Sequence, residues 1–497
     1  MKKYICLSLL TLLVGTASAQ EVFDLLRNST TEIHGTARAV SMANAFGALG
    51  GDITAIGINP AGIGIYRHSE ASYSQQLGFN TNETDFYGTV TSDRKVYTMP
   101  ASFGFVESYV SDDNNDGIAN FNWSITYNRY NNYYYNTPLE GCDRAVSLLD
   151  NINVTQETIN QGMNLPYMAY NAYLFNPDAS GNYRSILQDG QRVDNAMYQT
   201  ESGFAQEWNF SFGLNYNYWL YFGASLKVQT LRYLSETCYE EYLGTPEYQL
   251  TNQLETRGTG VGFNVGVIVR PIPALRLGLA YHSPTFFHMV DYTQTTMRSY
   301  AIADEQGNLR SYTVGSDYES YGYRQETPHE IVFSAAAQIG MVGFISADFQ
   351  ATTYNTTMMR DENNKPYTDV NQDVRDMLRT QYQARIGFEC RFTEKFSGRL
   401  GYAYTSSPVN SAVEAENWYV YTPSLAPHYT LPLDTHSLTA GLGWRLGESM
   451  FLDFALMDNL SKSHFYPFYN SSELGDANAA TVSSSRITLT GTIGFRF

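Results

Sequence analysis

Cysteine is scarce in this 497-residue chain, four in all, which excludes a disulfide-built scaffold. Charge is scarce as well: 16% of residues are Asp, Glu, Lys or Arg, against roughly a quarter in ordinary soluble domains. Basic residues are the rarer sign, 31 against 49 acidic. The resulting net charge of −18 argues against nucleic-acid binding, which needs a basic face. Past the first twenty residues no run of 18 apolar residues occurs, so membrane-spanning helices are excluded. What is present excludes disorder: 43% hydrophobic residues, 14% aromatics led by 40 Tyr, and 39 Gly. With a mean hydropathy of −0.32, composition alone reads as a large, acidic, soluble protein. Patterning along the chain overrules that reading.

The first residues set the compartment. Lys2 and Lys3 precede an apolar stretch from Ile5 to Val14, broken only by Ser8 and Thr11, and Ala17-Ser18-Ala19 follows. A positive start, a short apolar core and an A-x-A site predict a secretory signal peptide over 1–19, with Gln20 as the first mature residue. Cys6 lies inside the apolar stretch, which argues against a lipid-modified terminus. Processing removes two lysines, leaving 29 basic against 49 acidic residues and a net charge of −20. Cys142, Cys238 and Cys390 remain, an odd set that permits at most one internal bridge. Cys142 and Cys238 fall in segments that read as loops, and spacing leaves their pairing open.

A two-residue alternation runs through the rest of the chain. In the last segment Ile487, Leu489, Ile493, Phe495 and Phe497 share one face, and Arg486, Thr488, Thr490, Thr492 and Arg496 share the other. Trp208, Phe210, Phe212, Leu214 and Tyr216 alternate in the same way with Asn209, Ser211, Gly213 and Asn215. A period of two with one apolar face marks a half-buried strand. Gln383, Arg385, Glu389 and Arg391 share one strand face, which suits an aqueous lumen with paired charges and not a sealed sandwich core.

This period predicts about fourteen strands, near 69–79, 99–109, 120–130, 207–219, 221–232, 256–270, 275–283, 326–339, 341–352, 378–392, 396–407, 435–447, 450–460 and 485–497. The connections after the fourth, sixth, eighth, tenth and twelfth are short. Residues 80–98, 131–206, 233–255, 284–325, 353–377, 408–434 and 461–484 read as long loops, and 110–119 is intermediate. Tight turns at one rim and long loops at the other are the mark of a transmembrane antiparallel β-barrel with an even strand number. Tyr127, Tyr130, Tyr133, Tyr134 and Tyr135, and separately Tyr216, Tyr218, Trp219 and Tyr221, read as interfacial rim aromatics.

Residues 20–68 do not alternate. They are small, apolar and glycine-punctuated, with Gly47-Ala48, Asp52 and then Asn59-Pro60-Ala61-Gly62. Too small to bury a core alone, the segment is expected to be a compact plug of short helices packed in the barrel mouth. Its order of small-residue helix, Gly-Ala, Asp and Asn-Pro-Ala-Gly resembles the N-terminal hatch of the FadL family of long-chain fatty acid transporters, which includes toluene and xylene channels. The likeness extends to the plan of the chain, hatch first, then fourteen strands ending in Phe497; with Phe495 two residues before it, that ending resembles the signal read by the barrel assembly machinery. The resemblance implies three parts: a signal peptide at 1–19, a hatch at 20–68 and an outer-membrane barrel at 69–497. It also implies passive uptake of hydrophobic small molecules, fatty acids or aromatic hydrocarbons, in contact with outer-membrane lipid and lipopolysaccharide. Family members let the ligand leave sideways past an inwardly kinked third strand; here that strand, near 120–130, holds no Gly or Pro that requires a kink. The ligand pocket cannot be assigned from the sequence, and the long 131–206 loop departs from the family.

Other chemistry is thinly signalled. Asp112, Asn114, Asp116 and Gly117 match the start of a calcium loop, but Trp123 stands where the bidentate Glu belongs, so a polar turn is the better reading. His34, His68, His282, His288, His329, His428, His436 and His464 show no metal-ligand spacing, and no cofactor or catalytic motif is found. The alternatives to uptake are a binding role for the barrel, either as a hemin receptor or as a cargo shuttle of type IX secretion.

Overall fold

The computed structural model describes residues 22–111, 117–144, 147–162, 164–188, 191–242, 246–303, 309–415, 425–468 and 479–497. The signal-peptide expectation at 1–19 and most of the calcium-like stretch, 112–116, lie outside the described residues.

Fourteen antiparallel strands close into a barrel: β1 (Glu70–Phe86), β2 (Thr89–Val110), β3 (Ile118–Asn132), β4 (Val193–Tyr216), β5 (Leu220–Tyr242), β6 (Pro246–Ile272), β7 (Leu275–His282), β8 (Glu330–Ile339), β9 (Gly343–Thr353), β10 (Thr380–Arg391), β11 (Phe396–Thr405), β12 (Tyr429–Leu446), β13 (Met450–Tyr466) and β14 (Ala480–Arg496). Each pairs with the next, and β14 pairs with β1 from Glu70↔Arg496 to Asp85↔Thr481, which closes the wall. The wall continues past β7 as Phe286–Ala303 along the far half of β6, after a break at 283–285, and Glu319–Glu326 extends β8 in the same way.

Its distribution of polarity is inverted. Large apolar side chains point outward and stay exposed, among them Phe212 (56%), Leu442 (50%) and Phe454 (60%). Their alternating neighbours are polar and buried in the lumen: Asn122, Ser211, Thr488 and Thr490 are at most 2% exposed. A strand that buries its polar face and exposes its apolar one is matched to lipid outside and a filled lumen inside. Phe103, Tyr127 and Trp208 pack ring against ring, with centroids 4.7–5.4 Å apart, as part of the outward aromatic surface.

Tight turns gather at one rim, as the spacing requires. Asn217 and Tyr218 adopt positive φ (50° and 59°) in the β4–β5 turn, and Gly340 and Gly447 do so in two others. Three sequence expectations are corrected. Residues 80–98 and 233–255 are not loops: β1 and β2 run on to a turn at Tyr87-Gly88, and β5 and β6 are 23 and 27 residues long. A spanning strand needs about 9–11 residues, so these hairpins stand well proud of the membrane. There both faces meet water or protein, and the apolar-out signal stops. Cys142 and Cys238 therefore lie in strands; both are free thiols, and β4 runs between their strands. Of the proposed rim aromatics, Tyr130, Tyr133 and Tyr221 are buried inside the barrel, while Tyr216, Tyr218 and Trp219 are exposed at the rim.

The described residues of 131–206 are folded and do not form the open loop the sequence suggested. Tyr135–Arg144 continues the line of β3 against β4, and short helical turns and a small hairpin follow it. Leu148, Leu149, Met168, Leu174 and Phe175 pack with Tyr239, Tyr248, Met297 and Phe465 into one apolar cluster across the long-loop end. Glu241 anchors this cap, accepting from the Leu148 amide (2.8 Å) and from the Ser147 and Tyr239 hydroxyls (2.5 and 2.6 Å).

Candidate functional site

The lumen is filled by the N-terminal segment: α1 (Val22–Ser29) toward the long-loop end, and α2 (Ala37–Val40), α3 (Ile53–Ile58) and a 3₁₀ turn, Pro60–Ile65, in the tight-turn half. Short polar side chains cap these helices. Thr36 accepts from the Ala39 amide, and Asp52 accepts from the Thr54 amide (2.9 Å) while also taking the Thr36 hydroxyl (2.8 Å). Such caps satisfy end groups that a four- to six-residue helix otherwise leaves open.

Asn59 links the segment to the wall. Its Oδ1 accepts from the Ala61 amide (3.1 Å), and its Nδ2 donates to the carbonyls of Gly47 (2.7 Å) and Val267 of β6 (3.4 Å). Pro60 opens the 3₁₀ turn, where its missing N–H and fixed φ cost nothing. Gly62 packs against Gly50, and Ala48 is fully buried with Phe46, Met42, Ala280 and Val332. Gly47 donates its amide to Asp348 Oδ2 (3.0 Å). Phe495 and Phe497 lie apart from all of this, exposed on the outer surface, with the Phe497 backbone paired to Ser69 at 3.1 Å.

The sequence reading missed the receiving surface on the wall. Glycines of β5 and β6 admit the segment: a Cβ at Gly223 would meet the Pro60 carbonyl oxygen at 2.2 Å, and one at Gly266 would meet Asn59 Oδ1 at 1.9 Å. The Thr492 hydroxyl accepts from the Ala37 amide (2.7 Å), and the Thr439 hydroxyl donates to the Ser41 carbonyl (3.0 Å). Glu389 of β10 takes Arg38 of α2 (3.0 Å) and Arg399 of β11 (2.7 Å), and Arg399 also reaches Asp453 of β13 (2.5 Å). The signal available was the alternation itself, which placed Arg385 and Glu389 in the lumen without naming their partners.

Beyond α1, toward the long-loop end, lies a cavity of about 710 Å³. Phe23, Leu26 and Arg27 of α1 form one side, and β1, β3, β4, β5, β6, β12, β13 and β14 are among the strands that supply the walls. Arg27 is paired with Asp24 (2.5 Å) and stacked on Tyr233 (3.7 Å). His428 borders the same space; burial pushes its imidazole down to about 4, so it is neutral at physiological pH. The other histidines are dispersed: His282, for example, meets the Ile58 carbonyl at 2.9 Å. Among the described residues no group of three or more His, Cys, Asp and Glu side chains is placed to hold a metal ion.

The wall is not uniformly zipped. The β2–β3 ladder runs from Val110↔Asn120 to Ser102↔Asn128 and stops. Above it, among the described residues, β2 pairs with β1 alone, and the β1 register shifts between Ser74 and Gln75, opposite Pro100. Side chains fill the seam: Arg129 Nη1 lies 3.1 Å from Met99 Sδ, and Tyr97 stacks on Tyr134 at 5.7 Å. Pro100 of β2, which has no N–H to give, lies two residues beyond the last pair of this ladder, and β3 carries register shifts at 118–120 and 129–131.

No protein-family model matches the chain, and no curated protein matches it in sequence. Solved structures do match. A FadL homologue of Pseudomonas aeruginosa aligns over 94% of this chain and 100% of its own, with 13% identity and a TM-score of 0.57. The Pseudomonas putida toluene transporter TodX aligns over 94% and 100%, with 12% identity and a TM-score of 0.51. The Ralstonia pickettii toluene transporter TbuX aligns over 94% and 99%, with 13% identity and a TM-score of 0.50. The fold of this chain thus resembles that of the FadL-type outer-membrane barrels.

Proposed function

We propose that the protein is a passive channel in a Gram-negative outer membrane that takes up hydrophobic small molecules, fatty acids or aromatic hydrocarbons. Residues 1–19 direct export and are removed, 20–68 act as the hatch, and 69–497 form the barrel, whose Phe495 and Phe497 serve assembly. The observation that carries this reading is a plugged lumen beneath a 710 Å³ cavity, in a barrel of FadL type. A ligand enters at the lipopolysaccharide face and rests in the cavity against α1. It leaves when the hatch shifts, and the unzipped β2–β3 seam offers the sideways exit into the membrane. The Asn59-Pro60-Ala61-Gly62 turn, with Gly47, Ala48 and Asp52, holds the closed position.

Deletion of the gene tests this. Cells lacking it are expected to take up radiolabelled fatty acid or toluene more slowly at low concentration, with uptake restored by the plasmid-borne gene. Unchanged uptake, together with loss of surface-delivered secretion cargo, would replace the channel by a shuttle; hemin starvation in the deletion would replace it by a hemin receptor.

A further inference from the structure

We infer that the mouth cavity selects uncharged amphiphiles, molecules joining a hydroxyl- or amide-bearing head to a short apolar part, over free carboxylates and bare hydrocarbons. This rests on the uptake reading, which makes the cavity the ligand's resting place.

One side of the cavity is apolar. Phe23 and Leu26 of α1, with Leu254 and Phe465, give a tail a surface from which water gains little. The remaining wall is largely amide and hydroxyl, with Asn82, Gln199, Asn252, Gln253, Thr237 and Ser484 among its side chains. Asn252 Oδ1 accepts from Thr295 (2.9 Å), while its Nδ2 has no hydrogen-bond partner among the described residues. A bare hydrocarbon seated here would strip water from these groups and return no hydrogen bonds. A hydroxyl or ester head would return them.

Charge decides against a carboxylate. Of the ionisable groups on the wall, Asp24 and Arg27 pair with each other, and Glu32 pairs with Arg486 just behind it. Glu201 and Glu319 remain against Lys462, so no surplus of positive charge awaits an anion. Arg27 gives Nη1 to Asp24 and lies over the Tyr233 ring, so its charge is already balanced, although its Nε and Nη2 have no hydrogen-bond partner among the described residues. Burial pushes the Glu201 carboxyl above its usual range, above the spanning part of β4. The same surroundings penalise any second carboxylate brought in. The volume falls within the ordinary range for small-molecule sites.

The test uses the full mature protein in lipid nanodiscs at pH 8, titrated with four probes that share a ten-carbon chain and followed by intrinsic fluorescence. The probes are decane, decanoate, decan-1-ol and 1-decanoylglycerol. The two uncharged polar probes are expected to bind at least tenfold tighter than decanoate and tenfold tighter than decane. Glu201→Gln with Glu319→Gln should narrow the gap to decanoate, and Asn252→Leu the gap to decane. Decanoate or decane binding as tightly as the glyceryl ester, or no saturable binding of any probe, overturns the inference. Should a variant fail to fold, the wild-type series decides alone. Wild-type cells that take up none of the probes, alongside the expected nanodisc ranking, would sink the uptake reading and leave the selectivity standing.

Discussion

Glu389 receives two guanidinium groups from separate parts of the chain, Arg38 on the N-terminal segment and Arg399 on β11. Removing the shared carboxylate leaves two cations in the lumen with less to face. Glu389→Ala is therefore expected to lower stability by about 3–5 kcal/mol, and Glu389→Gln by less, read as the unfolding midpoint in detergent. A second residue gives a pH signature. His428 stays neutral in the folded protein down to about pH 4, whereas an unfolded histidine takes its proton near 6.5. Below 6.5 the unfolded chain binds the extra proton first, so the folded state loses ground as pH falls toward 4 and is unaffected above 7. Wild type is expected to lose about 2 kcal/mol more than His428→Gln between pH 7 and 4.5. Parallel pH dependence in the two proteins would remove His428 from the account.

At the scale of elements, the fit between the 3₁₀ turn and the wall depends on strand glycines. Gly223→Val puts a side chain where the Pro60 carbonyl sits, 2.2 Å from an ideal Cβ. It should lift the turn, open 53–66 to protease and cost about 1–3 kcal/mol. Gly491→Ala, whose Cβ would meet its nearest neighbour at 3.6 Å, is the control and should change little. These elements also show what the sequence made legible. All fourteen strands were readable where lipid lies on one side, because the lumenal Arg486-x-Thr488-x-Thr490 face and its apolar partner face differ so sharply. The hairpin ends at Phe86–Thr89 and Tyr242–Pro246 were not, since strands beyond the membrane alternate without an apolar outer face. Nor was the cavity, whose walls come from α1 and many strands far apart in sequence and share no local motif. The small, glycine-marked residues 37–62 were conspicuous; their anchors, Thr492, Thr439, Asp348 and Glu389, were ordinary lumenal residues until the fold brought them together.

For the whole molecule, the soluble-looking composition follows from the architecture. Half of each spanning strand faces a polar lumen, and the projecting hairpins and cap add water-facing surface, so mean hydropathy stays at −0.32 while the outer belt is continuous apolar surface. The proposed uptake requires the N-terminal segment to move against a wall it is bonded to at many points. Cysteines placed at Ala37 and Thr492, whose backbone and side chain meet at 2.7 Å, would tie α2 to β14. With Cys142, Cys238 and Cys390 changed to Ser, the rate of radiolabelled probe uptake into cells carrying this pair is the most direct measure. The account predicts uptake near the level of the gene deletion when the pair is oxidised, and recovery to the level of the cysteine-free parent on reduction. Equal uptake in the oxidised and reduced states would contradict it.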